Sequence, residues 1–182
     1  PILIPKDDPT RSEKECISFI RTSAACNTGK GSYTRELINT LTSYLDASMV
    51  YGSVKEVGDK LWDQQTGEMF TGPSSPFSVE GKPLLPFIKV VKMDCMMKFP
   101  GSKCFAAGGV KASADSHPLT LHAIGVGEHN RLVNGLTKIN PHWSGIRLYE
   151  EARKIVGAMI QKITFDEYLP KILGPKGAKI IG

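Results

Sequence analysis

From Thr42 to Ser48 every second residue carries a side-chain oxygen: Thr42, Tyr44, Asp46 and Ser48. That spacing scatters side chains around a helix, but it can set alternate oxygens along one side of an extended, curling loop. The chemistry it suggests is capture of a hard cation. Calcium takes about six to eight oxygens. The Asp46 carboxylate, the Thr42 and Ser48 hydroxyls and the carbonyls of Thr42 and Tyr44 are donors of that kind. The plain alternative is an ordinary helix followed by a polar turn.

The other groups able to do chemistry are four histidines and four cysteines. His117 and His122 are five residues apart and fall on different faces of any helix, which argues against a transition-metal pair. His129, alone in an amphipathic stretch, is expected to be a hydrogen-bonded structural residue. Gly108-Gly109 and Lys176-Gly177 lack the spacing of a phosphate-binding loop, and no nucleophile–base motif occurs. The cysteines fall into two local pairs, Cys16 with Cys26 and Cys95 with Cys104. Four cysteines allow three connectivities. Neither pair has the C-x-x-C spacing of a zinc site, and short separations favour local disulfides in an oxidising compartment, so a secreted or lumenal protein is expected.

The elements that must position these groups are mostly helical. Thr34 is a candidate N-cap for a helix carrying Leu37, Ile38 and Leu41, which runs into the oxygen-bearing loop. Residues 1 to 15 read as an extended arm, Cys16 opens an apolar patch with Ile17, Phe19 and Ile20, and Asn27 to Ser32 form a loop. Between Gly67 and Pro86 glycine and proline recur, which predicts irregular chain with at most short strands. From Leu119 onward Leu121, Ile124, Leu132, Val133 and Leu136 are predicted to share one helical face, weakened by Gly125 and Gly127. The best amphipathic pattern spans Ile146 to Ile163. Thr164 with Glu167 predicts a capping box and a short further helix through Leu169, which Pro170 interrupts. The fold class expected is all-α with long irregular loops.

Composition narrows the function classes. A chain of 182 residues with 41% hydrophobic and 23% charged residues suits one globular domain, residues 1–182. No apolar run reaches the roughly 18 residues of a membrane span, and Pro1 opens no signal peptide, so the chain reads as a mature or trimmed product. The net charge of +5 is scattered, with a mild cluster at Lys171, Lys176 and Lys179 and no interleaved stacking aromatics, so no nucleic-acid partner is expected.

Several segments are more specific than any composition. LTSYLDASMVYGS at Leu41 to Ser53, EHNRL at Glu128 to Leu132, and NPHWSGIRLYEEARKIVGAMIQKITFDEYLPKILGP at Asn140 to Pro175 resemble, in the same order, segments of the animal haem peroxidases. CISFIR at Cys16 to Arg21 and CFAAG at Cys104 to Gly108 resemble the same family more weakly, and the interval from Val54 to Phe99 matches poorly. The resemblance implies a partial animal haem peroxidase fold, an internal part of the family's domain, with a secreted, lumenal or granule location. It implies a disulfide between Cys95 and Cys104. The family's partner for Cys16 lies upstream of this sequence, and Cys26 falls where one member places an interchain cysteine. Cys16 and Cys26 are therefore expected either to pair with each other or to join a second copy of the chain.

The resemblance also bears on chemistry. The family's cofactor is haem, and its calcium shell is completed by an aspartate beside the distal histidine; that histidine and the iron-ligating histidine both lie outside these residues. An ungapped alignment from CFAAG to EHNRL puts Lys111 at the position of an arginine that assists peroxide cleavage, and Ala114 at that of a glutamate that esterifies the haem. Lysine keeps the charge but loses the planar fork of donors. A one-residue shift would bring Asp115 into play, but the ungapped alignment preserves the spacing from Cys104 to Glu128. Calcium at Thr42, Tyr44, Asp46 and Ser48 is expected, and haem on this chain alone is not. The expectation is a catalytically silent structural or interaction segment; the alternative is a fragment of an active peroxidase that oxidises halides or phenols with hydrogen peroxide.

Overall fold

The computed structural model describes residues 2–9, 16–21, 23–29, 34–39, 41–72, 83–87, 104–109 and 116–181. They fall into two compact units, Pro1–Leu41 and Thr42–Gly182. The fold class is the all-α one expected, with short strands confined to loops.

In the first unit β1 (Ile2–Leu3) pairs antiparallel with β2 (Cys16–Ile17), Leu3 opposite Cys16. The helix predicted after Thr34 is not formed. Leu37 instead makes an isolated bridge with Ala24, and the Ala25 amide donates to the Glu36 carbonyl at 2.9 Å. Thr28 reinforces this pairing: its hydroxyl donates to Ala25 O at 2.8 Å and accepts from the Glu36 amide at 3.2 Å. Leu37, Ile38 and Leu41 are exposed, so the periodicity that suggested a helix has no core to face. Cys16 and Cys26 are free thiols, and the intrachain bridge between them is not made.

The second unit is built on α3 (Ser116–Ile139) and α4 (Gly145–Lys162), which pack on each other. The turn between them ends at Ser144, whose hydroxyl caps α4 by accepting from the Arg147 amide. The α4 boundaries are within one residue of the periodic stretch, and Leu148, Ala152 and Val156 are buried as its spacing requires. On α3 the buried stripe is rotated from the predicted one. His122, Val126, His129 and Val133 face inward, whereas Leu121 and Ile124 are exposed. Two histidines occupy places that a hydrophobicity pattern assigns to apolar residues. Gly125 is needed rather than merely tolerated, because a Cβ there would stand 2.5 Å from Val50 Cγ2.

Val50 belongs to α1 (Ser48–Tyr51), followed by α2 (Lys55–Gly58). The larger core cluster joins Val50, Tyr51, Leu61, Trp62, Val126 and Tyr149 with their neighbours. A second, smaller cluster comprises Val133, Leu148 and Ala152, with Trp143 packed against it.

Beyond α4 the helix does not stop. Ile163–Tyr168 widens to a π-helix, and α5 (Leu169–Ile181) continues it, broken at Gly174 with φ +69°. The capping box is absent because there is no helix start to cap; the Thr164 hydroxyl donates back to Ile160 O at 2.8 Å. Pro170 does not interrupt either. The π register lets Leu169 N–H reach Thr164 O, and the chain passes through a residue with no N–H to give.

Candidate functional site

EHNRL sits in the middle of α3, and three side chains in and just after it grip one turn. His129 Nε2 lies 3.0 Å from Gly67 O, Asn130 bonds the Met69 backbone, and Asn134 Nδ2 donates to the Glu68 carboxylate at 2.8 Å. The turn itself is closed by the Asp63 amide on Glu68 O and the Gly67 amide on Asp63 O. Gly67 has φ +81°, and a Cβ on it would meet Gly145 O at 2.5 Å, so only glycine fits between this turn and the start of α4. Glu128 and Arg131 form a surface ion pair at 2.7 Å, which holds the Glu128 carboxyl below its usual range.

The other nitrogen of His129 meets Tyr51: the hydroxyl and Nδ1 are 2.9 Å apart. Proton positions follow from the partners. A carbonyl only accepts, so Nε2 carries a hydrogen toward Gly67. Burial lowers the His129 pKa, partly countered by the Gly67 bond and by Glu68, which leaves the ring neutral and Nδ1 bare. Tyr51 O–H therefore donates to Nδ1. Burial raises the Tyr51 and Tyr149 pKa values, which keeps both phenols protonated.

Around this pair the aromatic rings are in close contact. Tyr149 stands edge-on to Tyr51 at 5.8 Å between centroids and 5.2 Å from His129, and Trp62 stacks on Tyr149 at 3.9 Å. The Arg153 guanidinium lies 5.3 Å from the centre of the Tyr51 ring. Tyr51, Trp62, Tyr149 and Arg153 line an open groove of about 490 Å³, with the Lys55–Asp59 ion pair on its rim. A single histidine in an amphipathic stretch pointed to His129 as a structural residue. Nothing in the sequence pointed to Tyr51 as its partner, since 78 residues separate them.

Thr42, Asp46 and Ser48 are half-buried and Tyr44 is exposed. Thr42 Oγ1 accepts from the Tyr44 amide at 3.1 Å and Asp46 Oδ1 from the Ser48 amide at 3.0 Å, so two of the anticipated ligands also close local turns. The Leu45 carbonyl between them is taken by Gln161 Nε2. The donors have the hardness calcium prefers, with one carboxylate among them. Among the described residues no group of three or more His, Cys, Asp or Glu stands together. Lys111, Ala114, Asp115 and Cys95 lie outside the described residues. Cys104 is disulfide-bonded.

For haem iron the two buried histidines, His122 and His129, do not fit. Both His129 nitrogens are committed to protein partners. His122 is buried, with Nδ1 bonded to Pro118 O, and its unpartnered Nε2 faces Gly109, where even a Cβ would stand only 3.1 Å away. That leaves no room for a porphyrin.

Comparison with known proteins gives the class. The animal haem peroxidase family model matches residues 1–182, and this chain belongs to that family. Lactoperoxidase of Mesocricetus auratus is 41% identical over 185 residues, covering 100% of this chain and 26% of the relative. Eosinophil peroxidase of Mus musculus is 41% identical over 177 residues, 96% of this chain and 25% of the relative. Among solved structures, peroxidase A from Dictyostelium discoideum superposes with a TM-score of 0.67 at 27% identity, over 84% of this chain and 31% of that one. The chain thus spans about a quarter of the length of the curated relatives it matches. Among the described residues no helix is long and apolar enough to cross a membrane.

Proposed function

We propose that these residues are the structural frame of a peroxidase domain, a segment that organises the fold without supplying the iron ligand or the acid/base that moves a proton between peroxide oxygens. The observation that carries this reading is His129, whose two nitrogens are both spent holding Tyr51 and Gly67. Lys111 and Ala114, at the family's arginine and glutamate positions by alignment, support the same conclusion. The whole of 1–182 is, in this reading, an internal part of one domain. The decisive experiment is an absorption spectrum of the purified chain incubated with haem, followed by peroxide-dependent halide and phenol oxidation. No Soret band of a histidine-ligated haem and no turnover are expected. Saturable turnover lost on Lys111→Ala would overturn the reading.

A second reading, a fragment of an active peroxidase oxidising halides or phenols, is favoured by the 41% identity to lactoperoxidase along the entire chain. Addition of the flanking sequence of a relative, with restoration of turnover, is its test.

Related proposals follow from the same family reading. Cys95 is the partner of the disulfide-bonded Cys104, and a secreted, lumenal or granule location suits that bridge. Calcium binds at Thr42, Tyr44, Asp46 and Ser48, with Asp46 as the one carboxylate among these four. Cys26, exposed and free, joins a second copy of the chain under oxidising conditions. A covalent dimer on non-reducing gels, absent in Cys26→Ser, is the expected result.

A further inference from the structure

The four rings at the centre of the second unit have an arrangement that a purely structural core does not require. Tyr51 donates a 2.9 Å hydrogen bond to a bare imidazole nitrogen, and Tyr149 and Trp62 continue from it, ring on ring, to the wall of an open groove. We propose that Trp62, Tyr149, Tyr51 and His129 form a one-electron relay, in which Tyr51 is oxidised to a neutral phenoxyl radical as its proton passes to His129 Nδ1. The relay goes beyond the frame reading and needs no haem bound by these residues.

The geometry meets the two demands of such a step. Loss of an electron makes a phenol strongly acidic, and here the proton has an acceptor within direct hydrogen-bond reach. The products are the Tyr51 phenoxyl, an imidazolium that still donates from Nε2 to Gly67 O, and the acceptor reduced by one electron. Arg153, over the Tyr51 ring, opposes an intermediate in which the ring keeps the positive charge, so electron and proton must leave together. Glu68 favours the imidazolium on the other side. The electron acceptor is a high-potential one-electron oxidant of the metal–peroxide class, which these residues do not hold. A phenol in the groove closes the cycle: it gives one electron through Trp62 and Tyr149 and its own proton to the water of the open groove, leaving as a phenoxyl radical, while the Tyr51 proton moves back from Nδ1 to the Tyr51 oxygen.

Flash photolysis of the full chain with a ruthenium(III) polypyridyl oxidant, followed by freeze-quench high-field EPR, tests the relay. The background is the chain with Tyr33, Tyr44 and Tyr168 changed to phenylalanine, which leaves only the two clustered tyrosines. The expected result is a tyrosyl radical whose gx component is lowered by a strong hydrogen bond, lost in Tyr51→Phe. Trp62→Phe should retain the radical and lengthen its lifetime in the presence of a phenol. A gx value of an unbonded phenoxyl, or an undiminished signal in folded Tyr51→Phe, overturns the proposal; an unchanged lifetime in Trp62→Phe overturns the place of Trp62. Tyr149 is itself hydrogen-bonded to Arg153, so the gx value is read in the Tyr149→Phe chain with Tyr51 intact, where it decides the matter even if Tyr51→Phe does not fold.

Discussion

Asn130 holds Met69 by both polar groups of its backbone: Oδ1 accepts from the Met69 amide at 2.7 Å, and Nδ2 donates to the Met69 carbonyl at 3.0 Å. The amide side chain thus acts as a short piece of neighbouring strand. Substitution by alanine leaves a donor and an acceptor of partly buried backbone without partners. Asn130→Ala should lose about 2–3 kcal/mol of stability in urea unfolding. Asn130→Asp keeps the acceptor for the amide but sets a carboxylate against the carbonyl, and should destabilise at neutral pH and recover part of the loss in acid.

The contact of the Gly67 turn with the start of α4 has no slack. Gly67→Ala combines a positive φ with a displaced backbone oxygen and should cost roughly 2–4 kcal/mol. Gly145→Ala pushes on the same turn, since its Cβ would meet the Gln65 and Gln64 carbonyls, the latter at 2.5 Å. Because both relieve one contact, the double variant should be less destabilised than the sum of the two singles. Strict additivity in a double-mutant cycle would show that the two glycines are independent.

Burial lowers the His129 pKa from its ordinary 6.5. Above that value the imidazole is neutral in the folded and unfolded chain alike, and the full stability is present. Below it the unfolded chain takes up a proton that the folded chain refuses, so stability falls with acid until the folded group is protonated too. Thermal midpoints of the native chain should therefore drop as the pH falls below about 6.5. His129→Gln should start lower and show a shallower slope. Equal slopes would assign the pH dependence to other groups.

Asp46→Asn separates charge from turn geometry. The amide oxygen can still accept from the Ser48 N–H, so the local turn survives while the single carboxylate of the segment is removed. Added calcium should raise the melting midpoint of the native chain relative to chelator, and should leave Asp46→Asn unmoved. Identical midpoints for the native chain with and without calcium would show that the segment binds none.

What was legible in the sequence differs by element. The α4 helix was readable because its apolar spacing and its buried face coincide, and EHNRL was readable as a structural motif. The stripe on α3 was misread because His122 and His129 are inward-facing and count as polar in any pattern. The stretch after Thr34 failed for the opposite reason. Leu37 and Ile38 have helical spacing, but the backbone at Glu36 and Leu37 is claimed by Ala25 and Ala24, a pairing across a loop that local periodicity does not encode. The Tyr51–His129 pair was hidden for the same cause, being joined only by the fold. The Thr164–Glu167 signal for a helix start is overridden by a helix that is already running.

The chain has two tryptophans, and the fold has put one in each core cluster, Trp62 in the larger and Trp143 against the smaller. Each cluster therefore carries its own optical reporter. Trp62 lies flat on Tyr149, while Trp143 sits under the Arg147 guanidinium, 4.5 Å from the ring centre. With one of the two replaced by phenylalanine, the remaining emission follows a single cluster through a denaturant titration. Coincident curves would make the helical unit one cooperative body, and separated curves would reveal which half of it lets go first.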